Sequence, residues 1–310
     1  MTGPTQAPAL TALPPARYLA VMAVGVLAVG TSGPLIAAMT VPALAIAFWR
    51  NLLGAAATAP LVVFGAGRRV EVAGLGRRGW GVLLIAGVLL ALHFATWVPS
   101  VTLTSVASSL ALVTTQPIWA TLLARLAGHQ VPSRVWVGIA VALTGVLLLT
   151  GIDFTVSTQA LAGDALALLG GMFAAGYVTA GAELRRTVST ATYTTLCYSV
   201  CAILLLAICL AGRQPLTGYS GRDWAMLLAL TIGPQLLGHS LFNSLLRTSS
   251  PTVISMVLLF EVPVGALIAA LWLGQTPPAA ALPAVLLLLV GIGIVVGTRT
   301  PAQEPSVPVE

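Results

Sequence analysis

Apolar runs of about 20 residues, broken by short polar turns rich in Gly, Pro and Arg, recur along nearly the whole chain. The runs show neither strand-like alternation nor a narrow amphipathic stripe, as expected of helices that are apolar all round. A helix needs about 20 residues to cross the hydrocarbon core of a bilayer. On that measure the pattern predicts ten spans, near 18–39, 42–64, 79–99, 105–127, 134–151, 163–181, 190–211, 223–245, 250–273 and 278–298. The polar tails, 1–17 and 299–310, read as disordered. The first run is too long for a signal-peptide core and is followed closely by further runs, so it reads as an uncleaved first span.

Composition agrees with this pattern. The 310 residues are 58% hydrophobic and 7% charged, against roughly 25% charged in a soluble domain, and the mean hydropathy is +1.00. The fold class is therefore an all-α polytopic membrane protein. All 14 basic residues are Arg, scattered through short loops, so the +6 charge forms no basic face for nucleic acid. With the N-terminus cytoplasmic, Arg17, Arg68, Arg69, Arg77, Arg78, Arg125, Arg134, Arg185, Arg186, Arg247 and Arg299 fall on the cytoplasmic side. Only Arg213 and Arg222 fall on the other side. This positive-inside bias puts both termini in the cytoplasm and the chain in the cytoplasmic membrane.

The chain also repeats itself. "TSVASSLALVTTQPIWATLLARLAGHQVPS" (104–133) matches "SSPTVISMVLLFEVPVGALIAALWLGQTPP" (249–278), and both end at a Gln-x-Pro turn. Upstream, "LHFATWVPS" against "GHSLFNSLL" sets His93 opposite His239. The expected halves are 18–151 and 163–298, five helices each. Two copies with an odd number of spans must run in opposite directions, an inverted repeat with its site near the midplane between the halves.

These segments resemble the drug/metabolite transporter superfamily, in its EamA-type branch. The likeness rests on "FWRNLLGA", "ASSLALVTTQPIWATLLARLAGH", "GDALALLGGMFAAGYV" and "LLFEVPVGALIAALWLGQTPP", and it covers all but the tails. It implies a transporter of small organic solutes, most often an exporter of a metabolite or amino-acid-like compound. Members commonly carry an acidic residue where the fourth and ninth helices end; here those places hold His129 or Gln130, and Gln275.

Ionisable residues inside a membrane point to function by default, because burying them is costly. Glu261 falls near the middle of the ninth run, and the repeat pairs it with Gln116. It would carry substrate or protons, or serve as a structural hydrogen bonder. Pro263, two residues on, removes a backbone donor and is expected to loosen that helix. Arg50, in the second run, is the natural counter-ion. It would alternatively bind a substrate carboxylate or phosphate, or snorkel to the interface. His93 and His239 would relay protons or pack helices through hydrogen bonds. Asn243 and Gln235 lie four residues to either side of His239, making one polar stripe. Trp97 and Trp119 are candidates to line a cavity, although aromatics also form interfacial belts.

Other function classes fit poorly. Asp153, Asp164 and Asp223 are isolated, so no metal–diphosphate cluster is visible, and there is no Walker A or H-E-x-x-H sequence. Cys197, Cys201 and Cys209 share one apolar run and read as packing residues. The expectation is a non-enzymatic transporter without cofactor or metal, whose partners are a small organic solute, lipid and protons. Multidrug efflux is the alternative. Oligomeric state is left open.

Overall fold

The computed structural model describes residues 15–185, 188–238, 241 and 258–297. All regular structure among them is helical. The helices are α1 (Pro15–Gly30), α2 (Ser32–Ala38), α3 (Ala43–Val63), α4 (Arg68–Ala73), α5 (Arg77–Leu103), α6 (Val106–Val113), α7 (Gln116–Leu126), α8 (Ser133–Val156), α9 (Thr158–Leu184), α10 (Thr190–Ala211) and α11 (Gly221–Leu230). A π-helical segment, Thr231–Gly238, continues α11, and α12 (Glu261–Leu273) and α13 (Ala281–Gly297) complete the set.

Among the described residues, six stretches are long and apolar enough to cross a membrane: Ala20–Ala38, Ala43–Val63, Arg77–Leu103, Val106–Leu126, Thr158–Ala182 and Thr190–Ala211. Ser133–Leu149, Glu261–Leu273 and Ala281–Gly297 are shorter apolar helices. Large side chains such as Leu147, Leu271 and Leu286 stand exposed on their outer faces. A water-soluble protein rarely tolerates so much exposed apolar surface, whereas hydrocarbon solvates it. The chain is a multi-pass membrane protein.

Several predicted spans are broken where the pattern read as continuous. The first bends at Thr31, between α1 and α2. The fourth is interrupted by a turn at Thr114–Thr115, after which α7 begins at Gln116. The ninth turns at Leu259–Phe260, and α12 begins at Glu261. Glu261 is thus the first residue of a helix, not the middle of one. Pro263 sits in that helix's first turn, where its missing N–H leaves no intrahelical bond unmade. The loosening lies before the carboxylate rather than after it. The eighth span changes to π geometry around Pro234.

The packing follows a two-fold pattern. α3 packs on α10, and α8 on α13. α5 packs on α9 and, correspondingly, α1 on the π segment; α6 meets α12. At the α8–α13 seam, a Cβ on Gly138 would lie 2.8 Å from the Gly291 carbonyl oxygen, and one on Gly291 would strike the Ala142 backbone. Small residues let these backbones touch, and such close packing drives helix association in lipid. Cys197, Cys201 and Cys209 are wholly buried on α10, as unpaired thiols.

Candidate functional site

A cavity of about 370 Å³ lies between the two sets of helices. Arg50, His93, Trp97, Gln116 and Glu261 all line it. Five polar or aromatic residues from α3, α5, α7 and α12 therefore converge on one space. The helix breaks explain how. Gln116 and Glu261 each open a helix just after a two-residue turn, so the repeat-related pair occupies equivalent half-helix N-termini. The partial positive charge at the start of α12 favours a carboxylate there.

Arg50 is 1% exposed. A hydrogen bond and aromatic rings position it: Nε donates to Gln235 Oε1 at 2.8 Å, and the guanidinium carbon lies 4.4 Å from the Phe94 ring centroid. A second ring, Trp97, has its centroid at 5.9 Å. A cation over desolvated aromatic faces is stabilised by about 2 kcal/mol. Arg50 Nη1 has no hydrogen-bond partner among the described residues. Arg50 and Glu261 act on each other electrostatically but form no direct ion pair. Arg50 does not snorkel; it is enclosed.

Gln235 comes from the π segment, beside Pro234, and its amide packs against the bare backbone of Gly54. Thr231–Gly238 holds π geometry over eight residues, and π geometry, rare in helices, frequently occurs at functional sites. His93 Nδ1–H donates to the Gly170 carbonyl at 2.9 Å, which fixes its tautomer. The His93 ring stacks on Trp97 with centroids 5.6 Å apart and planes at 11°. Their four-residue spacing on α5 puts both rings on one face.

Trp119 is placed elsewhere. It lines a separate apolar crevice with Trp136 and Leu168, and its indole N–H donates to Thr115 Oγ1 at 3.1 Å. His239 and Asn243 lie outside the described residues. Sequence reasoning missed Phe94, Tyr193 and Tyr198 as cavity-lining groups, and missed Gln235 as the partner of Arg50. A Pro-Gln pair inside an apolar run was the available signal for Gln235, because Pro frees a backbone acceptor and a buried amide needs a partner.

The EamA-like transporter family model matches the chain twice, over residues 16–151 and 161–297. The chain belongs to the EamA-like transporter family. Two curated relatives are similar to it, the pseudopaline exporter CntI of Pseudomonas aeruginosa strains PAO1 and UCBPP-PA14. Each is 27% identical over 223 residues, covering 71% of this chain and 74% of the relative. A solved crystal structure shares the fold with a TM-score of 0.63 at 18% identity, covering 91% of this chain and 98% of that one. As a member of the family, the chain is a membrane transporter whose partners are a small solute and the bilayer, not an enzyme.

Proposed function

We propose that this EamA-family protein is a secondary active exporter of a small organic metabolite across the cytoplasmic membrane. It works by alternating access between two inverted five-helix halves. The reading assigns ten spans, with both termini cytoplasmic as the arginine distribution indicates. The observation that carries it is Glu261, a carboxylate at a half-helix N-terminus, sharing a membrane cavity with an enclosed Arg50 and paired with it only at a distance. Such a carboxylate is held for exchange rather than locked in an ion pair, which suits proton coupling or contact with a charged solute. Gln116, His93 and Trp97 complete the proposed site. His239 and Asn243 extend it by repeat and spacing alone, and Trp119 is left out. The relatives named as exporters support the outward direction.

A second reading, broad multidrug efflux, draws support from the aromatic lining of the cavity by Phe94, Trp97, Tyr177, Tyr193 and Tyr198. A ligand panel separates the two, since a metabolite exporter binds a narrow chemical class. The main test compares cells overproducing wild type and Glu261→Gln at equal membrane levels, with metabolites profiled inside and outside. A solute expelled only by wild type supports both the transport reading and the role of Glu261. Equal export by both reduces Glu261 to structure. Wild-type export that ignores an imposed pH gradient removes proton coupling.

A further inference from the structure

Two carboxylates outside the cavity make the same contact at opposite ends of one helix pair. Beyond the N-terminus of α3, Thr40 donates to Asp223 through its backbone N–H at 3.1 Å and its hydroxyl at 2.8 Å. Beyond the C-terminus of α3, Ser189 donates to Glu71 through its backbone N–H at 3.1 Å and its hydroxyl at 2.8 Å. The partners are 183 and 118 residues apart in sequence, so neither contact is a local turn. Each joins the two family-matched halves. Thr40 and Ser189 both lie in the turn between the first and second spans of their own half. Glu71 follows the second span of its half, and Asp223 opens the helix that follows the second span of the other.

The two clasps bracket one element. α3 and α10 pack together and run antiparallel, so the start of each helix lies beside the end of the other. Ser189 is the N-cap of α10, and Thr40 precedes α3 by three residues. Each carboxylate therefore comes from the segment following one helix and fastens the hydroxyl residue preceding its partner. Between the clasps, Thr195 Oγ1 donates to Thr58 Oγ1 at 2.8 Å, and the Trp49 indole N–H donates to the Leu216 carbonyl at 2.9 Å. Charge-assisted bonds of this kind are roughly twice as strong as neutral ones.

We infer that the Thr40–Asp223 and Ser189–Glu71 clasps staple α3 to α10 at both membrane faces, making this pair the fixed spine about which the remaining helices move. Gates on opposite faces of an alternating-access transporter open in turn. Both clasps are closed in one and the same conformation, which fits a spine and not a pair of gates. The inference goes beyond the transport reading and adds a division of labour. The broken helices α6–α7 and α12, with the π segment, carry Gln116, Glu261, Gln235 and the motion, while α3–α10 holds Arg50, Tyr193 and Tyr198 still.

The test measures distance, so it stands apart from whether any solute is identified. Spin labels on Ala43→Cys with Arg222→Cys report one end, and labels on Ala73→Cys with Ala191→Cys report the other, in the full chain reconstituted in nanodiscs. The expected result is one narrow distance at each end. Glu71→Ala should broaden only the 73–191 distance, and Asp223→Ala only the 43–222 distance. If either alanine variant fails to fold, Ser189→Ala and Thr40→Val remove the hydroxyl arm alone and should broaden the same distances to a smaller extent. A two-peaked distance at either end without these variants means that the clasp opens as a gate, and overturns the spine. Unchanged distances in the clasp variants mean that the carboxylates do not fasten the pair, and overturn the inference equally.

Discussion

Arg50 and Gln235, 185 positions apart, share a 2.8 Å hydrogen bond inside the membrane. It joins α3 of the first half to the π segment of the second, and Gly54 leaves the room in which the Gln235 amide sits. A guanidinium that is 1% exposed depends on every acceptor it has. Gln235→Leu removes this one and should destabilise the protein by about 2 kcal/mol, the range for a hydrogen bond to a charged group. Gln235→Glu keeps an acceptor and should retain more stability. Thermal unfolding followed by fluorescence-detected size exclusion orders the variants, and equal melting of Gln235→Leu and wild type would remove the structural role.

The α8–α13 seam should be intolerant of any side chain at Gly291. The Cβ would meet backbone atoms of Ala142, which cannot rotate away. Gly291→Leu should cost about 3 kcal/mol or more and yield aggregated protein. A Cβ on Gly293 would meet nothing within 4 Å among the described residues, so Gly293→Leu should change stability by less than about 0.5 kcal/mol. Monodispersity after extraction distinguishes the two.

Glu71 gives the protein an acid-sensitive fastening. The Ser189 hydroxyl, with that of Thr192, holds its carboxyl below the usual carboxylate range. A folded-state value lower than the unfolded one stabilises the fold at higher pH, and the stabilisation is lost as pH falls through the folded value. The contribution is therefore complete at neutral pH and fades only in acid, below the ordinary carboxylate range. Melting of wild type and Glu71→Gln should differ most at pH 7 and converge in acid. A gap that widens on acidification would contradict the assignment.

Trp97 and Trp119 should part company in function. Trp97 lines the cavity beside Arg50, and Trp119 lines an apolar crevice of its own. Trp97→Phe should weaken export of whatever solute the metabolite comparison identifies, by several-fold. Trp119→Phe should leave export near wild type. The opposite order would place the solute path beside α8.

The repeat was legible because side-chain chemistry survives in it. Gln116 and Glu261, matched from sequence, stand after equivalent turns. Arg50 drew notice because a cation in an apolar run has few explanations. What hydropathy could not show was where helices break. A turn of apolar and hydroxyl residues such as Thr114–Thr115 is as lipid-compatible as a helical turn when neighbouring helices satisfy its backbone. The ninth run therefore read as continuous through Leu259–Phe260. The partner of Arg50 was hidden for a related reason, since pairing across 185 residues depends on helix packing, to which local pattern is blind. Trp119 lines a crevice apart from Trp97, a separation invisible to local pattern because an aromatic at helical spacing does not declare which neighbour its face meets.

The three cysteines of α10 have a practical corollary. Cys197, Cys201 and Cys209 expose no surface, so a thiol reagent meets no accessible native target on the folded protein. The unmodified chain is its own blank: a single cysteine placed in any loop should report alone, and reaction of the unaltered protein becomes a direct read-out of α10 coming apart.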